Sequence, residues 1–432
     1  EIAQCLVGSE MCIRDRRRSY MTKIAFVDGV LIDGIGSEPL EKSLVLIEDE
    51  KIKYVGQKIH IDSDYEIVDI SGMTIMPGLI DTHVHFGGAL SPSDINWILE
   101  PTLQKAVVSV SQAEACLEHG ITTVGDISRN GTYLRDMIDK GIIKGPRTIT
   151  CGLGLSRTGG HGDTHSLPFD YVQESHPWAI CVDGKENLRH AVRRIIRTNP
   201  DMIKIWATGG GVWRLERKTD QHYSFEEIQV VVEEANYLGL PVRAHCESLE
   251  GAKDCCKAGV YSIEHGQELD DECLSLMMEK DITLVPTMQF FYEWFTEYEP
   301  PYRSILDKFP GKTIAEKELN RTIANFQAAK DAGIRIVVGS DSFCSQLTPY
   351  GEYSLKEIHA INKSGLSPME TIVAATRSGA DMLKVSGITG TLEENKYADL
   401  IVLEKSPLED IENIKKENMT IIMKNGIFIK KK

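Results

Sequence analysis

Thr74-Ile75-Met76-Pro77-Gly78-Leu79-Ile80-Asp81-Thr82-His83-Val84-His85-Phe86 is the stretch from which the fold is read. Its apolar residues predict a buried strand, and Gly87-Gly88 predicts the loop into which it opens. Side chains two apart on a strand share a face, so His83 and His85 point the same way near its C-terminal end. Two neutral imidazoles so placed can hold one divalent ion. Alternatively they are two unrelated, partly buried histidines with backbone partners.

Downstream the rhythm is strand then helix. Strands are predicted at 121–127, 147–152, 202–208, 241–246, 261–266, 282–287 and 335–341, which with the one ending at His85 makes eight. Amphipathic segments such as SFEEIQVVVEEANYLG and NLRHAVRRIIRTNP separate them, with serine caps and terminal glycines at several boundaries. The fold class expected is α/β, a (β/α)8 TIM barrel, whose active site lies at the C-terminal ends of its strands. An open doubly wound sheet ranks lower, because no dinucleotide glycine fingerprint follows an early strand. Long insertions at Gly154–Ala179 and Met288–Pro310 are expected to shape or cover a pocket.

The chain ends read differently. Short alternating segments and Asp-Gly turns fill KIAFVDGVLIDG and KSLVLIEDEKIKYVG, and a comparable set returns in YADLIVLEKSP and MTIIMKNGIFIKKK. They are expected to pair into one small β-sandwich, with residues 21–76 its first part, 388–432 its second and 77–387 the barrel. Two unrelated edge hairpins are the alternative. Residues 1–20 fit neither unit: CLVGSEMCIRDR resembles a translated sequencing-adapter remnant, and Met21 is the expected start of the protein proper.

Composition narrows the function. A 42% hydrophobic and 26% charged chain is ordinary for a folded protein, and a formal net charge of -16 offers no basic footprint for nucleic acid. No apolar run is long enough to span a membrane. Ten scattered cysteines without a CxxC pair fit reduced thiols in the cytoplasm. Cys246 is read as a core filler. A homo-oligomer is the default expectation.

Further ionisable residues fall at predicted strand ends: Lys204 within Ile203-Lys204-Ile205, His245 in Arg243-Ala244-His245, His265 in Ile263-Glu264-His265-Gly266 and Asp341 in Gly339-Ser340-Asp341. With the strand-one pair they make a set that resembles the metal-dependent amidohydrolase superfamily, over Met21 to the C-terminus. The resemblance implies a hydrolase with two divalent metal ions, expected to be zinc. His83, His85 and Asp341 would bind the more buried ion and His245 and His265 the more exposed one. Lys204, carboxylated by CO2, would bridge them, since a carbamate offers anionic oxygens where an ammonium offers none. A metal-bridging hydroxide would attack the amide, with Asp341 passing its proton to the leaving nitrogen. For Lys204 alone, a salt-bridged strand lysine is the competing reading.

A finer resemblance, to proline dipeptidases and zinc carboxypeptidase-like enzymes, rests on Pro77-Gly78-Leu79-Ile80-Asp81, Gly159-Gly160-His161-Gly162, Lys204-Ile205-Trp206-Ala207-Thr208-Gly209-Gly210 and His222-Tyr223-Ser224. It implies that the substrate is a small molecule, a dipeptide or N-acyl amino acid with a prolyl or hydrophobic residue. His161 would hydrogen-bond the scissile carbonyl. Tyr223 would bind the substrate carboxylate, with Arg243 a further candidate. Each has a plainer reading: a solvated loop histidine, a packing anchor before the Ser224 helix cap, and a salt bridge inside the barrel. Phe290, Phe291, Tyr292, Glu293, Trp294 and Phe295 suggest an apolar pocket with an acidic rim, an aromatic lid packed on the barrel being the plainer reading. Imidazolonepropionase-like opening of a cyclic amide is the enzymatic alternative, and a catalytically silent scaffold the alternative of another class.

Overall fold

The computed structural model describes residues 22–91, 94–211, 215–296 and 312–432. The leader and the latter part of the Met288–Pro310 insertion lie outside the described residues.

Two all-parallel sheets carry the site. One runs Ser342–Cys344, Leu79–Ala89, Ile121–Asp126, Arg147–Thr150. The other runs Ala179–Cys181, Gly154–Ser156, Ile203–Trp206, Val242–Cys246, Ser262–His265, Thr283–Val285. Crossover helices make a parallel arrangement possible. Phe225–Asn236 shows why they form: Ser224 and Glu227 close a capping box, and Ile228, Val231, Val232 and Ala235 recur with helical spacing on the buried face.

Residues 335–341 lie between the sheets. Leu284 N–H donates to Arg335 O at 2.9 Å on one side, and Thr82 N–H donates to Val338 O at 2.9 Å on the other. At the opposite edges, Asp201 N–H donates to Thr150 O at 2.8 Å. The sequence predicts a regular strand at 335–341, but the structure has a single bridge there, Leu284 to Ile336, and places the ladder at Ser342–Cys344. Asp341 explains the break, because its φ of 57° turns the chain out of the extended conformation. The Gly154–Ala179 insertion begins and ends in short strands that the sequence reading missed.

Both chain ends enter one eight-stranded sheet. Leu400–Leu403 pairs antiparallel with Thr74–Pro77, which pairs parallel with Lys23–Leu31. Ile24, Phe26, Val45, Ile47, Ile75, Leu400 and Val402 form its buried face. The ends therefore pair as expected, although the hydrogen bonding joins all these strands in one sheet. Thr74–Pro77 leads straight into Leu79–Ala89, so this sheet anchors the strand that bears His83 and His85. Among the described residues no helix is long and apolar enough to cross a membrane.

Candidate metal centre

His83 and His85 project from the same side of Leu79–Ala89, with their Nε2 atoms 3.1 Å apart. Asp341 Oδ1 lies 3.4 Å from His83 Nε2 and 3.0 Å from His85 Nε2. Burial works against the Asp341 charge, but His83, His85 and His265 hold its carboxyl far below the usual range. Backbone ties fix the arrangement. Asp341 N–H donates to His83 O at 2.8 Å. Asp81 accepts from His83 N–H and Ser340 N–H, each at 3.0 Å, and from the Ser354 hydroxyl at 2.5 Å. His85 Nδ1 lies 3.0 Å from Ile127 O, and its ring packs against Trp178 with centroids 4.4 Å apart.

Lys204 is fully buried on Ile203–Trp206, and its Nζ donates to Glu264 Oε2 at 2.9 Å. Burial depresses its pKa, as expected for an ammonium removed from water. His265 reaches the cluster through an irregularity. Strict alternation would turn it away from Glu264, but a φ of 71° rotates it so that its ring centroid lies 5.6 Å from that of His83 and 4.5 Å from that of His245. Its Nδ1 contacts Thr287 Oγ1 at 2.8 Å.

His245 is buried, and its Nε2 has no hydrogen-bond partner. His161 stacks on it with centroids 4.5 Å apart and contacts Glu216 Oε1 through Nδ1 at 2.6 Å. Glu216 is itself held by the Gly210 and Gly211 N–H groups. Burial disfavours a charged His161, but Glu216 outweighs it and raises the imidazole pKa. The same pairing, against desolvation, holds the Glu216 carboxyl down at about 2. Glu247, 3.7 Å from His245 Nε2, is pushed up to about 7 by burial.

The structure thus gathers His83, His85, Lys204, His245, His265, Asp341 and His161. The other two predicted substrate contacts, Tyr223 and Arg243, have protein partners in this structure. Tyr223 is buried among core side chains, and its hydroxyl donates to Val182 O at 3.1 Å. Arg243 is buried and its Nε donates to Glu264 Oε1 at 2.6 Å, an ion pair inside the parallel strands. The helix Met288–Thr296 begins the aromatic insertion, with Phe291 buried against Leu319. Sequence reasoning assigned no role to Asp81, Glu216 or Glu264. Glu264 carried a usable signal, since strand alternation points it inward with Ser262. Glu216 carried none, because a loop residue has no periodicity.

The Amidohydrolase family model matches residues 74–428. The chain belongs to the amidohydrolase family. It is 32% identical over 427 residues to ochratoxinase from Aspergillus niger, covering 93% of this chain and 85% of that one. The crystal structure of A. niger ochratoxinase superposes with a TM-score of 0.85 at 28% identity, over 96% and 97% of the two chains. A Xaa-Pro dipeptidase structure with bound methionine gives 0.83 at 30% identity, over 95% and 100%. Imidazolonepropionase from Rhizobium rhizogenes is 23% identical over 402 residues, covering 85% of this chain and 88% of that one. These relatives place this amidohydrolase near the prolidase-like branch.

The side chains present fit the divalent ions that such a family binds. His83, His85 and Asp341 offer ligand atoms within 4.8 Å of one another. Burial holds His83 near 4 and His265 near 3, and pushes His245 well below the ordinary histidine value. All three are therefore neutral, the form that ligates metal.

Proposed function

We propose that this chain hydrolyses the amide bond of a dipeptide or N-acyl amino acid with a prolyl or hydrophobic residue. The observation that carries the reading is the convergence of His83, His85 and Asp341 with His245, His265 and the buried Lys204. The ochratoxinase and Xaa-Pro dipeptidase relatives support the substrate class.

In this reading His83, His85 and Asp341 would hold one divalent ion and His245 and His265 a second, and Lys204, if carboxylated, would supply a further anionic ligand. Two such ions, expected to be zinc, supply Lewis acidity toward the carbonyl and an activated water at neutral pH. Asp341 takes a proton from the attacking water and delivers it to the departing nitrogen. His161, whose Nδ1 lies 2.6 Å from Glu216 Oε1, donates to the carbonyl oxygen as negative charge gathers there. We also read the parallel strands as a closed (β/α)8 barrel, supported by the hydrogen bonds of residues 335–341 and Asp201, and the chain-end sheet as a sandwich folded on itself.

The test is metal stoichiometry followed by a screen of dipeptides and N-acyl amino acids. The expected outcome is two ions per chain and release of the C-terminal amino acid. Bound metal with turnover of cyclic amides alone would favour an imidazolonepropionase-like reaction, a reading that the Rhizobium relative supports. No bound metal under supplementation would overturn both.

A further inference from the structure

Glu264 divides its two oxygens between different tasks. Oε1 faces away from the imidazoles and accepts from Arg243 Nε at 2.6 Å and Ser262 Oγ at 3.0 Å. Oε2 accepts from Lys204 Nζ at 2.9 Å and lies 2.6 Å from His83 Nδ1. That last approach is close but off the direction of a ring N–H hydrogen bond, leaving His83 Nδ1 without an aligned acceptor. Glu264, Lys204, Arg243 and His83 are all essentially removed from solvent. The registers explain the meeting, since Lys204 pairs with Arg243 and Arg243 with Ser262 on neighbouring strands, all facing inward.

We infer that Glu264, clamped by Arg243 and Ser262, is a positioning residue that orients both His83 and Lys204 toward the shared site. The inference rests on the proposed metal-bearing reading. A histidine that ligates through Nε2 is oriented by a carboxylate at Nδ1, and losing that partner costs metal affinity. His83 Nε2 faces His85 and Asp341 while Nδ1 faces Glu264. Carboxylation of Lys204 begins with loss of one proton from the ammonium; the neutral amine then forms one N–C bond with CO2 and releases a second proton to solvent. The carbamate keeps one N–H, which Oε2 is placed to accept, so that its anionic oxygens turn away from Glu264. One oxygen thereby sets the direction of two groups. Arg243 holds the clamp through its Nε donation to Glu264 Oε1.

The experiment compares wild type, Glu264→Gln, Glu264→Asp and the double variant Arg243→Met/Glu264→Gln. Bound metal is read by elemental analysis, the lysine carbamate by carbon-13 NMR after labelled bicarbonate, and folding by circular dichroism. Glutamine supplies one acceptor and sets an N–H2 group against a donor. Glu264→Gln is expected to stay folded while metal affinity falls roughly 10–100-fold and the carbamate signal disappears, with Glu264→Asp recovering part of both. The double variant removes the unpaired guanidinium and decides the matter if the single variant unfolds. A folded variant with wild-type metal content and carbamate signal overturns the inference alone. Absence of metal and carbamate from the wild type overturns the underlying reading and the inference with it.

Discussion

On the side of Leu79–Ala89, the strand-one side, backbone ties hold the ligating residues, although His83 Nδ1 has no aligned hydrogen-bond acceptor. Asp81 holds the backbone of both His83 and Ser340, Asp341 N–H donates to His83 O, and Ile127 O lies against His85. On the side of Val242–Cys246, the strand-five side, His245 Nε2, Glu216 Oε2 and Glu247 Oε2 are buried without hydrogen-bond partners, with Lys218 Nζ 3.5 Å from Glu247 Oε2 as an ion pair. The first side is preorganised by the protein itself. The second keeps polar capacity in reserve, and buried polar atoms without partners are costly enough that something binding there is the natural explanation. A substrate is thus expected to engage the strand-five side, against a rigid strand-one side.

The comparison breaks most sharply at Asp341, which touches both histidines of the rigid side. Asp341→Asn keeps the shape but removes the proton acceptor and a charged ligand. The expected result is a fall of roughly 10³-fold or more in kcat for the best dipeptide, with circular dichroism unchanged. Activity within a few-fold of wild type would remove Asp341 from the chemistry.

On the strand-five side, His161→Asn should lower kcat about 100-fold while KM changes little, as for loss of one donor to developing oxyanion charge. Gly210→Ala probes the same residue indirectly. An added Cβ would lie 2.4 Å from His161 Cε1 and 3.2 Å from Glu247 Oε1, so the imidazole must shift. Its effect should have the same sign and be smaller. Equal effects on kcat and KM from both variants would instead make His161 a binding contact.

How far the sequence revealed this contrast depends on geometry. His83, His85 and Lys204 were legible because regular strands with period two placed them. His265 and Asp341 were found at strand ends, yet alternation did not aim them. Their left-handed backbone did, at φ 71° and 57°; His and Asp are enriched in that region, but only a small share of them adopt it, so the residue type alone does not reveal it. Glu216 and Asp81 act through partners distant in sequence or bonded through backbone, which no spacing encodes. Pairing of the chain ends was legible from alternation, whereas the joining of all their strands in one sheet depends on cross-strand hydrogen bonds.

A third contrast sets the centre against the chain-end sheet. Asp399 is buried there and accepts from Arg147 at 2.5 Å, from Thr389 Oγ1 at 2.8 Å and from Asn425 N–H at 2.8 Å. Arg147 belongs to a parallel strand of the metal-bearing half, so the pair joins the two regions. Asp399→Asn should cost about 2 kcal/mol, less than a fully buried pair because Arg147 keeps some solvent contact. The measurement is the urea midpoint, with metal content expected to stay unchanged. Loss of metal would mean that the sheet sets the geometry of the centre as well as its stability.

The smallest effect separates charge burial from function. Lys424, half-buried in the chain-end sheet, is pushed down to about 8, first by burial and then by Arg147, against the pull of Asp399. An unfolded lysine titrates near 10.4. Between about pH 8 and 10.4 the unfolded chain therefore binds this proton and the folded chain does not, so this group's contribution to stability rises with pH across that window. Lys424→Met should gain about 1 kcal/mol at pH 7, after allowance for partial solvent screening. Its advantage should shrink as pH rises through the window. Denaturant midpoints of both proteins at pH 7 and 9.5, at fixed salt, measure this. A gap that widens with pH would show that Asp399 outweighs burial at Lys424. The chain-end sheet would then be held by an ion network of Arg147, Asp399 and Lys424, in contrast to the clustered imidazoles of the candidate metal centre.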